Sequence, residues 1–175
     1  MKTPALLMLA IALGNMGSSC KGTSGGGLPE PGSAQQTGAI SVSLSTDRNS
    51  YKAGESIRIS VGVSEACHLR VFSVDSAGST AQIFPNAVAM NDRVSSGQAI
   101  RLGGAGSGYT LRAKKPFGRE MLWVIASSQP FPPGFEPRPG QSYSAAWSGG
   151  ASRGIGIEAT PAKTGEAKRV IEIRE

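Results

Sequence analysis

The sequence predicts an all-β domain folded as a two-sheet sandwich, and three observations carry that expectation. Apolar and polar residues alternate with a period of two through several short stretches, as in strands with one face on a core. Gly (24) and Pro (11) are abundant in a chain of 175 residues, while little repeats at helical spacing. Turn-forming clusters recur at short intervals, which divides the chain into about eight strands and makes the expected sandwich immunoglobulin-like. An apolar content of 39% is enough for a genuine core.

The first segment stands apart from the sandwich. "MKTPALLMLAIALGNMGSSC" has one charge at Lys2, an apolar run from Ala5 to Leu13 and small residues before Cys20. Residues 1–19 have the layout of a secretory signal peptide, too short for a membrane-spanning helix. The small residues running into Cys20 resemble the lipobox of bacterial lipoproteins, with Gly17 where such signals usually carry Leu. The resemblance implies a palmitate-type acyl anchor on Cys20 and a place in the bacterial cell envelope, on the periplasmic or surface side of a membrane. An ordinary secreted protein is the alternative. With Cys20 acylated, Cys67 has no partner and is expected as a small buried apolar residue; without the lipid, a Cys20–Cys67 bridge is open. Residues 20–38 then form the lipidated cysteine and a flexible Gly/Ser/Pro/Gln tether, and 39–175 the folded domain.

Order is expected from Ile40. "ISVSLS" puts Ile40, Val42 and Leu44 on one face, and "ESIRISVGVS" repeats the pattern with Ile57, Ile59, Val61 and Val63. In "CHLRVFSVD" the phase slips, with Leu69 and Val71 on one face and Phe72 and Val74 on the other. A bulge near Val71, or a strand covered on both sides, accounts for the slip. "SAGS" is a turn with Gly78 suited to positive φ, and "STAQIF" is a short return strand that Pro85 ends. Asn86 then shapes a corner, with Asp92 and Arg93 as a local ion pair beyond it. "AIRL" and "YTLRA" flank "GGAGSG", six small residues expected as a hairpin loop. "REMLWVIASS" is apolar on both faces and belongs mid-sheet, whereas the short, charged "EAKRVIEIRE" suits an edge.

Residues 129–150, "QPFPPGFEPRPGQSYSAAWSGG", break this rhythm with five prolines. A loop of this length inside a compact domain is usually functional or disordered. "SYSAAWS" has room for a helical turn or two that lays Trp147 on the sandwich. Phe131, Phe135, Tyr143 and Trp147 are the candidate ligand-binding residues, since their rings can stack on sugar faces; packing of the same rings on the sandwich is the alternative.

Motifs that suggest chemistry are weak. "GASRG", residues 150–154, fits the G-x-S-x-G elbow of a hydrolase serine at Ser152. The single histidine, His68, precedes it by more than eighty residues and falls on an expected strand, so no catalytic residue is assigned. "GIGIEA" and "GGAGSG" do not stand between a strand and a long helix, so no cofactor is expected. One histidine and one unpaired mature cysteine make no ordinary zinc set, and no metal site is assigned. The chain is basic, with a formal net charge of +6 and its densest run in "RAKKPFGR", residues 112–119. That run suits either an anionic surface or a solvated strand end; without interleaved aromatics, nucleic acid is not an expected partner.

One family resemblance covers about residues 40–128. The "Y-x-x-G-E" opening, the Asp–Gly turn, the "FPN" and the "P-F-G-x-E" before a strong strand are similar to the bacterial family called domain of unknown function 4384. The matching residues are Tyr51, Gly54, Glu55, Asp75, Gly78, Phe84, Pro85, Asn86, Pro116, Phe117, Gly118 and Glu120. The resemblance implies an extracytoplasmic module and brings no activity with it. The expected function is therefore a non-enzymatic, lipid-anchored envelope module that binds a protein partner. A lipoprotein binding wall polymer or glycan is the alternative, and a hydrolase the lesser one.

Overall fold

The computed structural model describes residues 31–32, 34–140, 143 and 162–175. The signal peptide, Cys20, most of the tether, Trp147 and Ser152 with its elbow motif lie outside those residues. The described residues are all-β, with twelve strands in chain order: β1 (Ala34–Gly38), β2 (Val42–Thr46), β3 (Ser50–Lys52), β4 (Ser56–Ile57), β5 (Ile59–Val63), β6 (Cys67–Val74), β7 (Thr80–Phe84), β8 (Arg93–Val94), β9 (Ile100–Leu102), β10 (Leu111–Arg112), β11 (Gly118–Ser127) and β12 (Thr164–Arg174). The excess over eight comes from two- and three-residue strands such as β4, β8 and β10, which carry too few residues to show a period.

The large sheet runs β1-β12-β11-β6-β7, with β3 added parallel to β12 and β8 antiparallel to β6. Facing it are the three-stranded sheet β2-β5-β9 and the β4–β10 pair. The alternating inward residues Val42, Leu44, Ile59, Val61 and Leu102 meet Leu69, Val71, Leu122, Val124 and Ile171 in one buried cluster between the layers. Alternation is what makes this sandwich, because each strand offers every second side chain to the same core. A second cluster occupies the opposite face of the large sheet and contains Phe72, Val74, Met121, Trp123, Ile125, Phe131 and Val170. The register of β6 against β7 shifts between Val71 and Phe72, which is the bulge that the phase slip requires. As its two-faced pattern implies, β11 is central and paired on both sides.

Three expectations are corrected. Order starts before Ile40, because residues 34–38 of the expected tether pair with β12 from Ala34↔Arg169 to Gly38↔Gly165. Backbone pairing needs no apolar side chain, and glycines at both ends of the last pair let the chains approach: a Cβ on Gly38 would lie 2.6 Å from the Thr164 carbonyl oxygen. Next, the charged terminal stretch is an interior strand, not an edge. Its charges conceal this because they are partnered: Arg169 donates to Thr46 Oγ1 (2.8 Å) and Asn49 Oδ1 (2.6 Å), and the Lys168 ammonium stands 4.5 Å from the Trp123 ring. Finally, β9 and β10 do not pair as a hairpin. β9 pairs with β5 and β10 with β4, so the glycine-rich segment carries the chain from one ladder to the other.

Candidate functional site

The "FPN" corner is built as its residues dictate. Phe84 is buried, Pro85 ends β7, and the Asn86 side chain organises the turn. Asn86 Nδ2 donates to the Ile83 carbonyl (2.9 Å), and Oδ1 accepts from the amides of Val88 and Ala89 (both 2.9 Å). That fixed turn presents Val88 (62% exposed) and Met90 (79% exposed), the exposed large apolar residues of the described chain. Asp92 does not pair with Arg93; its carboxylate meets His68 Nδ1 at 2.9 Å, tying the loop to β6. The sequence could not place that pair, because a partner 24 residues away is set by topology.

The "Y-x-x-G-E" residues also support a turn. Tyr51 donates to Asp47 Oδ1 (2.6 Å), which also accepts from the Arg58 amide (3.0 Å). Burial acts to raise the Asp47 pKa, but these two hydrogen bonds and the Arg48 charge outweigh it and hold the carboxyl below its ordinary range. Burial, together with the bond to Asp47, pushes the Tyr51 phenol up to about 12. Glu55 closes the turn by accepting from Arg48 (3.0 Å) and from the Lys52 amide (2.8 Å). These groups serve one another.

The described candidate ligand-binding rings lie over the large sheet. Phe131 is buried in the second cluster, and Phe135 and Tyr143 pack against it. Phe135 stands 5.0 Å from Phe131 and 5.3 Å from Tyr143, and Tyr143 stands 5.6 Å from Trp123, centroid to centroid. Arg70 lies 5.0 Å from the Phe131 ring, and Trp123 Nε1 donates to the buried Glu166 (3.0 Å) beneath. Phe131 is thus packed as a lid, while the half-buried Phe135 packs on it and also lines a surface cavity with Arg70, Phe72 and Gln82. Cys67 is free and buried, and burial, with Glu65 nearby, pushes its thiol up to about 11. Among the described residues no three His, Cys, Asp or Glu side chains stand close enough to share a metal ion.

A different place gathers unspent chemistry. A cavity of about 260 Å³ opens between β7 and the β4–β10 pair. Ile57, Ile59, Ile83, Leu111 and Leu122 give it an apolar floor, and Arg112, Lys114 and Lys115 line it at the surface. Its frame is two turns that the sequence separates. Asp75 Oδ1 accepts from the Ala77 and Ser79 amides (both 2.9 Å), and Ser76 Oγ donates to the Phe117 carbonyl (3.0 Å). Gly118, at φ 124°, lets the second turn lie against the first. Thus the Asp–Gly turn and the "P-F-G-x-E" segment become one structure.

Glu120 is the unusual member. It lies two residues before Leu122 on β11, and both line the cavity, so a carboxyl stands on the inward face of a central strand. Burial pushes its pKa above the ordinary range; the Ser73 hydroxyl and Lys114 pull it back, and Asp75 adds to the rise. Among the described residues no cation lies within ion-pair distance of it. Sequence reasoning grouped Glu120 with turn residues, yet its parity with Leu122, Val124 and Ala126 was there to read: an acid in the inward phase of a core strand is the signal.

The family model described as "Domain of unknown function (DUF4384)" matches residues 50–130. That span holds the corner, both turns of the cavity frame and Glu120, and begins about where the "Y-x-x-G-E" resemblance does. No curated protein and no solved structure matches the chain.

Proposed function

The chain belongs to the DUF4384 family through residues 50–130, and from that premise we propose that it is a non-enzymatic binding module of the bacterial envelope, lipid-anchored at Cys20, that takes a protein partner. The partner docks as an extended segment in the open seam between β7 and β10. The observation that carries this reading is the cavity beside a free edge. Among the described residues β7 ends the large sheet and pairs only with β6, which leaves its outer row of backbone groups for strand addition. The apolar floor beneath that edge supplies pockets for alternate side chains, and Val88 and Met90 lie directly beyond the end of the strand. The lipid anchor and the Gly/Ser-rich tether support the envelope address, since a tether of that composition lets a module search its surroundings for a partner.

The test is a pull-down from envelope extracts with the acylated full chain, beside two variants. Ala81 is exposed on β7 and lines the cavity, so Ala81→Trp fills the seam without entering the core. Val88→Ser with Met90→Ser removes the apolar pair. The wild type recovers a discrete envelope protein, Ala81→Trp loses it, and the double variant holds it more weakly. Equal recovery by all three proteins, or only background that varies with salt, defeats the reading.

A further inference from the structure

We propose that the cavity is a socket for a lysine side chain, with Glu120 as the group that pairs with its ammonium. The inference rests on the reading above, in which a partner segment lies along β7, and names the side chain that segment inserts. A volume of about 260 Å³ is just under the roughly 300 Å³ where small-molecule sites begin, so the space suits one long side chain. Its floor of Ile57, Ile59, Ile83, Leu111 and Leu122 is a surface for a straight aliphatic stem.

The polar end is equally selective. Three acceptors line the cavity: the Glu120 carboxylate, the Ser73 hydroxyl, whose hydrogen bond to Glu120 leaves the second carboxylate oxygen and its own lone pairs, and the Asp75 carboxyl through Oδ2, since the two turn amides are held by Oδ1. An ammonium brings three donors to such a set, whereas a guanidinium presents a planar fork suited to one carboxylate edge. Glu120 is taken partly out of water, and Lys114 acts on it only from a distance: among the described residues no cation reaches ion-pair distance, so a ligand ammonium adds a direct contact that the free protein lacks. The rim cations do not replace that ligand. Arg112 donates to the Gly54 carbonyl (2.9 Å), and the Lys115 ammonium stands 5.5 Å from the Phe117 ring. With Lys114 they favour a segment whose residues beside the lysine are acidic.

Methyl-labelled full-length protein is titrated with n-pentylamine, n-pentylguanidine and n-pentanol, read at the methyl resonances of Ile59, Leu111 and Leu122. Pentylamine shifts them saturably and binds at least about tenfold tighter than pentanol, as a charge-assisted hydrogen bond requires. Pentylguanidine binds more weakly than pentylamine. Glu120→Gln abolishes the difference between amine and alcohol, while its thermal stability at neutral pH is no lower than that of the wild type. Equal binding of amine and alcohol, a guanidine as tight as the amine, or an unaltered preference in Glu120→Gln overturns the socket. A captured partner that survives Glu120→Gln but not Ala81→Trp overturns the socket and leaves the seam intact. Amine-selective binding with no partner captured upholds the socket and removes the protein-partner reading.

Discussion

At Glu120 one carboxyl is worth more to binding than to folding. Its pKa is raised in the folded chain by burial first, so the native state binds its proton more tightly than the unfolded state does. The associated stability is fully present below the unfolded value and is lost as pH rises through the folded one. Asp75 adds to the rise and Lys114 opposes it, so the window opens near 4.5 and extends upward. Glu120→Gln is therefore expected to melt higher than the wild type at pH 7 and equally at pH 3, as scanning calorimetry at the two pH values would show. Gly165 makes the opposite case, in which nothing can be added. A Cβ there would press into the backbone carbonyl of Ile40, where the two layers of the sandwich come together. Gly165→Ala should cost on the order of 3 kcal/mol, the upper end for overpacking, because the listening neighbour is backbone and cannot rotate away. Urea titration with a midpoint equal to that of the wild type would refute the close approach.

The lid formed by Phe131, Phe135 and Tyr143 behaves as a structural layer, since without it Trp123, Ile125 and Phe72 would face water. Phe131→Ala is expected to lose about 3–5 kcal/mol, the range for a buried phenylalanine. Phe135→Ala, at a half-buried ring, should lose less. A pair of variants with unchanged melting temperatures would return these rings to a ligand. Strands were legible in the sequence wherever alternation ran for five residues or more: β2, β5 and β6 fall within the patterns that begin at Ile40, Ile57 and Cys67, and the slip at Val71 located the bulge. What escaped notice was set by partners far along the chain. β1 carries no apolar phase and exists because β12 offers it an edge. β12 looks like a solvated edge until Lys168 and Arg169 are seen against Trp123, Thr46 and Asn49. The cavity was invisible for the same reason, because Asp75 and Glu120 are 45 positions apart and only the β6–β11 register brings their turns together.

For the molecule as a whole, the proposed anchor and the sandwich are separable. Cys20→Ser is expected to release the protein from membranes with its melting temperature unchanged. Acyl attachment contributes about 0.8 kcal/mol per buried methylene, and no described residue of the sandwich is asked to replace it. Variant protein that remains in the membrane fraction after a salt wash would show that another surface holds it. The place of β12 has a consequence of a different kind. It follows the other eleven strands in chain order, yet it is the partner of β1, β3 and β11. A chain emerging N-terminus first therefore holds β1 and β3 with nothing to pair against, and β11 with one neighbour in place of two. Closing ladders across more than 120 residues is slow, and here it cannot begin until the last strand is out. In the proposed export, the small sheet and the β7-β6-β11 ladder could form early, but the large sheet would close only once the last described strand had emerged, so topology itself would time that final step.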